Sequence, residues 1–266
     1  MTLPRPSPMV EVGPYRVGDI REESPYELSN GHRIECMSSG PRHARTNLQG
    51  GKVLDSDPDA PSAGVDPGYT FGDAHLRAPD VGVGGLPDAS GFSTEVPPLI
   101  VEYADVGQDE RELARKVDEF QTAGTRYIWV VRLTGPLRVQ VYELDDRGRR
   151  LKPRLVAGDG TLTAPGVLRN PVPVKALVDR DAANAATLRN LLNRVGYESL
   201  ESLEVQKFEE GREEGRETEL RGAVVDMCEL LGVAMDPNRQ AALDAMRAPA
   251  LRELKATLKA TRAWPG

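Results

Sequence analysis

The chain has 266 residues, of which 39% are hydrophobic, 28% charged and only 5% aromatic, and its 34 Lys and Arg against 41 Asp and Glu leave a formal net charge of -7. That is enough apolar material for a core, it argues against wholesale disorder, and the length suits one large domain or an ordinary domain with an appendage. The acidic balance argues against a protein that coats nucleic acid but leaves room for a local basic groove, the 2 Cys and 3 His exclude a disulfide scaffold and a Cys-rich zinc site, and no apolar run approaches the roughly 20 residues that span a bilayer.

Residues 1–22 are rich in proline and lack either hydrophobic period, which predicts a flexible leader; prolines also stand where a signal peptide would have its apolar segment, so the chain reads as soluble, not exported and cytoplasmic. Tyr26-Glu27-Leu28, the turn residues Ser29-Asn30-Gly31 and the alternating run His32 to Met37 predict a hairpin. From Pro41 to Leu54, His43, Asn47 and Gly51 recur at four-residue spacing and predict a helix, weakened by Gly50-Gly51. Residues 55–76 read as loop with one short strand at Tyr69 to Phe71. Two apolar segments follow, Asp80 to Val83 and, after Pro97-Pro98, Leu99 to Ala104, and both read as buried strands.

Gln108 to Ala123 has Leu113, Val117 and Phe120 at helical spacing, with Gly124 as its C-terminal cap. Tyr127 to Val131 and Val139 to Leu144 are strands again. The strand, helix, strand order predicts a right-handed parallel crossover at the centre of a mixed sheet. Gly135-Pro136 and Asp145 to Gly148 are turns, and Pro173 to Val178 a short helix. From Asp179 Gly and Pro thin out and the rest reads as helices, with Glu209-Glu210-Gly211-Arg212 repeated at Glu213 to Arg216 so that Glu and Arg lie three apart. The expected organisation is a leader over 1–22, an α/β domain over 23–178 and an all-helical extension over 179–266.

Two acids stand out against this background: Asp80 at the start of one buried strand and Glu102 inside the next. Ionised carboxylates in apolar strands are costly unless paired or bound to a metal. Oxygen ligands of this kind suit magnesium, which keeps several waters, accepts phosphate oxygens as ligands and activates water for in-line attack on a phosphodiester. A lysine is the expected third member. Position 104 carries Ala104, so the candidate is Lys116, which lies about 60° from the centre of the helix's apolar stripe at about 100° per residue. Blander readings stand beside these: Asp80 as a strand-entry turn, Lys116 as a solvated residue pairing with Glu112 or Asp109, His43 as structural and Glu27 facing solvent. His32 and His75 read as surface residues, Trp129 and Tyr127 as core, and Cys36 and Cys228 as small buried apolar groups.

Tyr26-Glu27-Leu28 with Asn30-Gly31, His43, Pro79-Asp80, Val101-Glu102, Lys116 and Gly124 to Val130 together resemble, in order, the Uma-two family of putative restriction endonucleases, within the PD-(D/E)xK nuclease superfamily, over residues 24–178. The resemblance implies a restriction-endonuclease-like mixed sheet of four or five strands flanked by helices. It implies Asp80 and Glu102 as metal ligands with the backbone carbonyl of Tyr103, Lys116 displaced from strand to helix, Glu27 completing the metal site and His43 near the substrate. Asp105 departs from the serine usual after the Glu strand, and adds either a ligand or a repulsive charge. The resulting expectation is a magnesium-dependent DNA endonuclease, with manganese as a substitute, no membrane partner, and a homodimer, coiled coil or protein partner reached through the C-terminal helices. The alternatives are a catalytically silent interaction module acting through its helical tail, and a metal-dependent hydrolase of RNA or nucleotides.

Overall fold

The computed structural model describes residues 13–36 and 39–265. Met37 and residues 1–12 of the expected leader lie outside the described residues. In chain order the elements are β1 (Tyr26–Ser29), β2 (His32–Glu35), α1 (Pro41–Asp55), β3 (Ala63–Val65), β4 (Tyr69–Thr70), β5 (Leu76–Arg77), β6 (Val81–Val83), β7 (Leu99–Ala104), α2 (Glu110–Ala123), β8 (Tyr127–Arg132), β9 (Arg138–Glu143), β10 (Arg154–Ala157), β11 (Thr161–Leu162), β12 (Val172–Pro173), α3 (Arg180–Arg194), α4 (Leu200–Leu231), α5 (Pro237–Ala245) and α6 (Ala248–Thr261). They fall into two compact units, one ending at Gly196 and one beginning at Tyr197.

The first unit is built on a six-stranded mixed sheet in the order β10-β9-β8-β7-β6-β3. β7 and β8 are parallel, Leu99 beside Tyr127 through Ala104 beside Arg132, and α2 makes the crossover between them; the other pairs are antiparallel. The alternation of β7 distributes its side chains. Leu99, Val101 and Tyr103 join Trp129, Val131 and Val139 in a core with Val53 and Leu54 of α1 and Ala183 and Ala186 of α3. Ile100 and Ala104 face Leu113, Val117 and Phe120 of α2 on the opposite side. Glu102 shares the parity of Ile100 and Ala104, so it enters the layer between the sheet and α2. That helix starts at Asp109, whose carboxylate accepts from the Arg111 and Glu112 amides, and stops at Gly124, whose φ of 110° needs a residue without Cβ.

A second sheet, β2-β1-β5-β4, brings the β1/β2 hairpin against the loops that precede β6. Several sequence readings change here. Residues 13–22 are not a loose leader: Val17–Asp19 form a 3-10 turn, the Tyr15 and Val17 amides donate to the Gly31 and Asp73 carbonyls at 2.7 and 2.8 Å, and Ile20 packs with Leu28 and Leu76. Backbone hydrogen bonds anchor a segment that has no side-chain period. In the expected loop over 55–76 the short strand anticipated at Tyr69 to Phe71 is present as β4, but β3 and β5 are strands as well, each too short to show alternation. The main sheet has six strands where four or five were expected, because β3 and β10 extend its two edges.

α3, assigned with the tail by composition, packs instead on α1. Asn190 Nδ2 donates to the Val53 carbonyl at 3.0 Å and Lys52 Nζ to Asn184 Oδ1 at 2.8 Å. The second unit contains α4, α5 and α6, with Val224, Cys228, Leu243, Leu251, Leu254 and Leu258 as its core. Ser199 caps α4 and Gly232, at φ 72°, ends it. Buried Glu217 accepts from the Ala248 amide at 3.1 Å and pairs with Arg221, so the α6 start is tied to α4.

Candidate active site

β6 runs antiparallel to β7 with Val81 beside Val101, and the same register carried one residue further sets Asp80 across from Glu102. Directly opposed residues of an antiparallel pair project on one face. The two acids of the sequence are therefore neighbours at the end of the β6/β7 pair, Glu102 facing α2 and Asp80 reached from α1.

The Asp80 carboxylate is held by three donors. His43 Nε2 lies 2.7 Å and Asn47 Nδ2 3.2 Å from Oδ1, both from one face of α1, and the Tyr103 amide donates to Oδ2 at 2.6 Å. The Asp80 hydrogen bond, and behind it the carboxylate charge, raises the His43 pKa above its ordinary value against the opposing effect of burial.

Glu102 is buried, and its carboxyl is pushed up to about 8, first by burial and then by the neighbouring Asp80 and Glu27 charges, with Lys116 acting the other way. Lys116 reaches in from α2: its Nζ is 2.9 Å from Glu102 Oε1, 3.2 Å from Glu27 Oε1 and 2.6 Å from the Ala78 carbonyl oxygen. Burial alone would lower its pKa, but Glu102, Glu27 and Asp80 more than offset that and raise it. The ammonium is thus a fixed cation of the site, and the pairing with Glu112 or Asp109 weighed from sequence is not the one observed.

Glu27 on β1 is buried, not solvent-facing. Oε1 meets Lys116 and the Ala78 amide, and Oε2 lies 2.8 Å from Arg77 Nη1. Burial opposes its charge, yet Lys116 and Arg77 hold its carboxyl below the usual value. Arg77, 1% exposed, also binds Glu112 at 2.8 Å and Glu119, whose Oε1 accepts from Ser29 Oγ at 2.5 Å. His75, read as a surface residue, is partly buried with Nε2 3.9 Å from Glu119 Oε1. Asp105 pairs with Arg42 at 2.8 Å, so its charge is matched. Cys36 is exposed, against the expectation of burial, and Cys228 is buried.

Sequence reasoning missed Asn47 and Arg77. Asn47 shares a helix face with His43, four residues away, and that spacing was its signal. Arg77 sits in a two-residue strand amid turn formers and gives none.

Among the described residues no group of three or more His, Cys, Asp or Glu side chains has the arrangement of a metal site. What the site does offer is a surplus of acidic side chains: buried Glu27 and Glu102 and partly buried Asp80, Glu112 and Glu119 against Lys116 and Arg77, with His43 at the rim. Asn47 Oδ1 is buried without a hydrogen-bond partner beside Asp80. Two hard carboxyl groups, an unsatisfied amide oxygen and the surplus of acidic side chains fit a divalent cation that retains several waters.

The family described as Uma2, putative restriction endonuclease, matches residues 15–171. A crystal structure of a putative nuclease belonging to DUF820 from Anabaena variabilis superposes with a TM-score of 0.54 at 18% identity, covering 64% of this chain and 99% of that one, a likeness of fold alone. No curated protein matches.

Proposed function

The chain belongs to the Uma2 family of putative restriction endonucleases, and from that premise we propose that it is a magnesium-dependent endodeoxyribonuclease whose centre is Asp80, Glu102 and Lys116. The observation that carries this reading is the convergence of the opposed acids of β6 and β7 with an ammonium 2.9 Å from Glu102.

In this reading Asp80 and Glu102, with the Tyr103 carbonyl, hold the cation. A bound magnesium or manganese ion supplies Lewis-acid polarisation of the phosphodiester and a water of lowered pKa. Lys116 stabilises negative charge as water attacks phosphorus and the bond to the leaving oxygen breaks. Glu27, whose oxygens are engaged by Lys116, Arg77 and the Ala78 amide, steadies the ammonium beside the acid pair. His43, steered by Asp80 through Nε2, keeps Nδ1 for a water or a phosphate oxygen.

The test is calorimetric titration of magnesium and manganese into the wild type and Glu102→Gln, with each sample then incubated with supercoiled plasmid. The reading expects metal binding and nicking in the wild type and neither in the variant. A wild type that binds no metal and leaves plasmid intact refutes it and favours an interaction module.

A further inference from the structure

The chain as a whole is acidic, yet residues 126–154 carry eight Lys and Arg against three Asp and Glu. This stretch is β8, β9 and the approach to β10, which form one side of the main sheet. Register places two of its cations on the face that holds Glu102. Glu102 is beside Val130 and Val130 beside Gln140; one pleat further on, Ala104 is beside Arg132 and Arg132 beside Arg138. Residues in register across neighbouring strands point to the same side, and the step of two residues is about 7 Å. Arg132 therefore stands next to the strand position where Ala104 offers only a methyl, and Arg138 one strand beyond.

These residues line a groove of about 510 Å³ together with Glu110, Thr134, Gln140 and Arg154. Arg132 is bound by both oxygens of Glu110, at 2.5 and 3.0 Å, and approaches Gln140 at 3.5 Å. The Glu110 side chain is 64% exposed, and ion pairs with so exposed a partner exchange at little cost. Its two oxygens occupy the positions that a phosphate's oxygens take on a guanidinium fork. Arg138 gives Nη1 to the Thr134 and Pro136 carbonyls, both at 3.0 Å, which anchors its guanidinium at the β8/β9 turn.

We propose that Arg132 and Arg138 form a binding shelf for backbone phosphates of duplex DNA, beside the acid pair and distinct from it, with Glu110 as the stand-in that a phosphate displaces. The proposal rests on the nuclease reading for its choice of ligand. The shelf takes non-reacting phosphates that flank the one presented to Asp80 and Glu102, fixing position without reading sequence.

The experiment is fluorescence anisotropy of a short fluorescein-labelled DNA duplex with the full chain in chelator, across a salt series. Arg132→Gln and Arg138→Gln should each weaken binding at least about tenfold and lower the slope of log affinity against log salt by about 1. Glu110→Gln should tighten binding, an effect no merely structural loss produces, and it carries the test at an exposed position if an arginine variant fails to fold. Wild-type affinity and slope in both arginine variants, no duplex binding by the wild type, or tighter binding of an RNA duplex of the same sequence each overturns the shelf. Arginine-dependent duplex binding without plasmid nicking supports the shelf and overturns only the hydrolytic reading.

Discussion

The Lys116 ammonium on α2 lies 2.9 Å from Glu102 Oε1 on β7, so a helix supplies the cation that the strand, ending in Ala104, does not. The same ammonium also binds Glu27 and the Ala78 carbonyl, and three separate segments of chain meet on it. Lys116→Met should lower plasmid nicking by about a hundredfold or more, the scale of one lost charge-stabilising donor. It should also cost about 3–5 kcal/mol in chemical denaturation, because the carboxylates left behind are buried. Unchanged nicking with an intact fold would remove Lys116 from the mechanism.

The raised Glu102 carboxyl sets a pH dependence. A carboxyl whose pKa rises on folding binds its proton more tightly in the native state, so its stabilisation is present below the ordinary value of 4.5 and is lost as pH rises toward about 8. The raised His43 pKa acts in the same direction in the upper part of that window, and depressed Glu27 acts only below it. Thermal midpoints in chelator should fall from pH 5 to pH 8 and level off above, and Glu102→Gln should flatten most of the decline. A wild-type profile that rises over this window would contradict the assignment.

Gly50 lies inside α1, where Ala ordinarily gains about 1 kcal/mol over Gly. A Cβ there would meet the Tyr103 hydroxyl at 2.1 Å, and that hydroxyl donates to the Leu177 carbonyl at 3.0 Å. Overpacking costs about 1–3 kcal/mol and a broken buried hydrogen bond a further 1 kcal/mol or more, so the clash outweighs the propensity gain. Gly50→Ala should reduce stability in urea denaturation and weaken magnesium binding, since Tyr103 moves with its Asp80-bound amide. A stabilised variant would show that α1 can shift away freely.

The boundary between the units gives a further expectation. A chain ending at Gly196 should unfold cooperatively, whereas one ending at Asp179 should not, because it removes Ala183, Ala186 and the Asn190 bond to Val53 from the core around α1. Differential scanning calorimetry of the two truncations checks this. Equal cooperativity in both would show that α3 is dispensable.

The acid pair was legible because an ionised side chain among Val, Ile and Leu contradicts its surroundings. Lys116 was legible because helical periodicity places it at the edge of an apolar stripe. The α2 crossover and the parallel β7/β8 pair followed from the order of long periodic segments. What could not be read was whatever depends on contacts distant in sequence: Arg77 gathers carboxylates from β1 and α2, and the strands it belongs with are two to four residues long. The role of Gly50 was equally hidden, since propensity registers the cost of the glycine and not the tyrosine that needs its space. α3 was misplaced because composition changes at Asp179, while packing changes at Gly196.

The Tyr103 amide spends its proton on the Asp80 side chain at 2.6 Å, which makes it a spectroscopic handle on the site. In an isotope-labelled sample, a proton given to a carboxylate at that distance resonates far downfield. Drawing charge from Asp80 would move that one resonance before any neighbour responds. Occupancy of the acid pair can therefore be followed through the backbone of the protein itself, without a substrate and without a reaction.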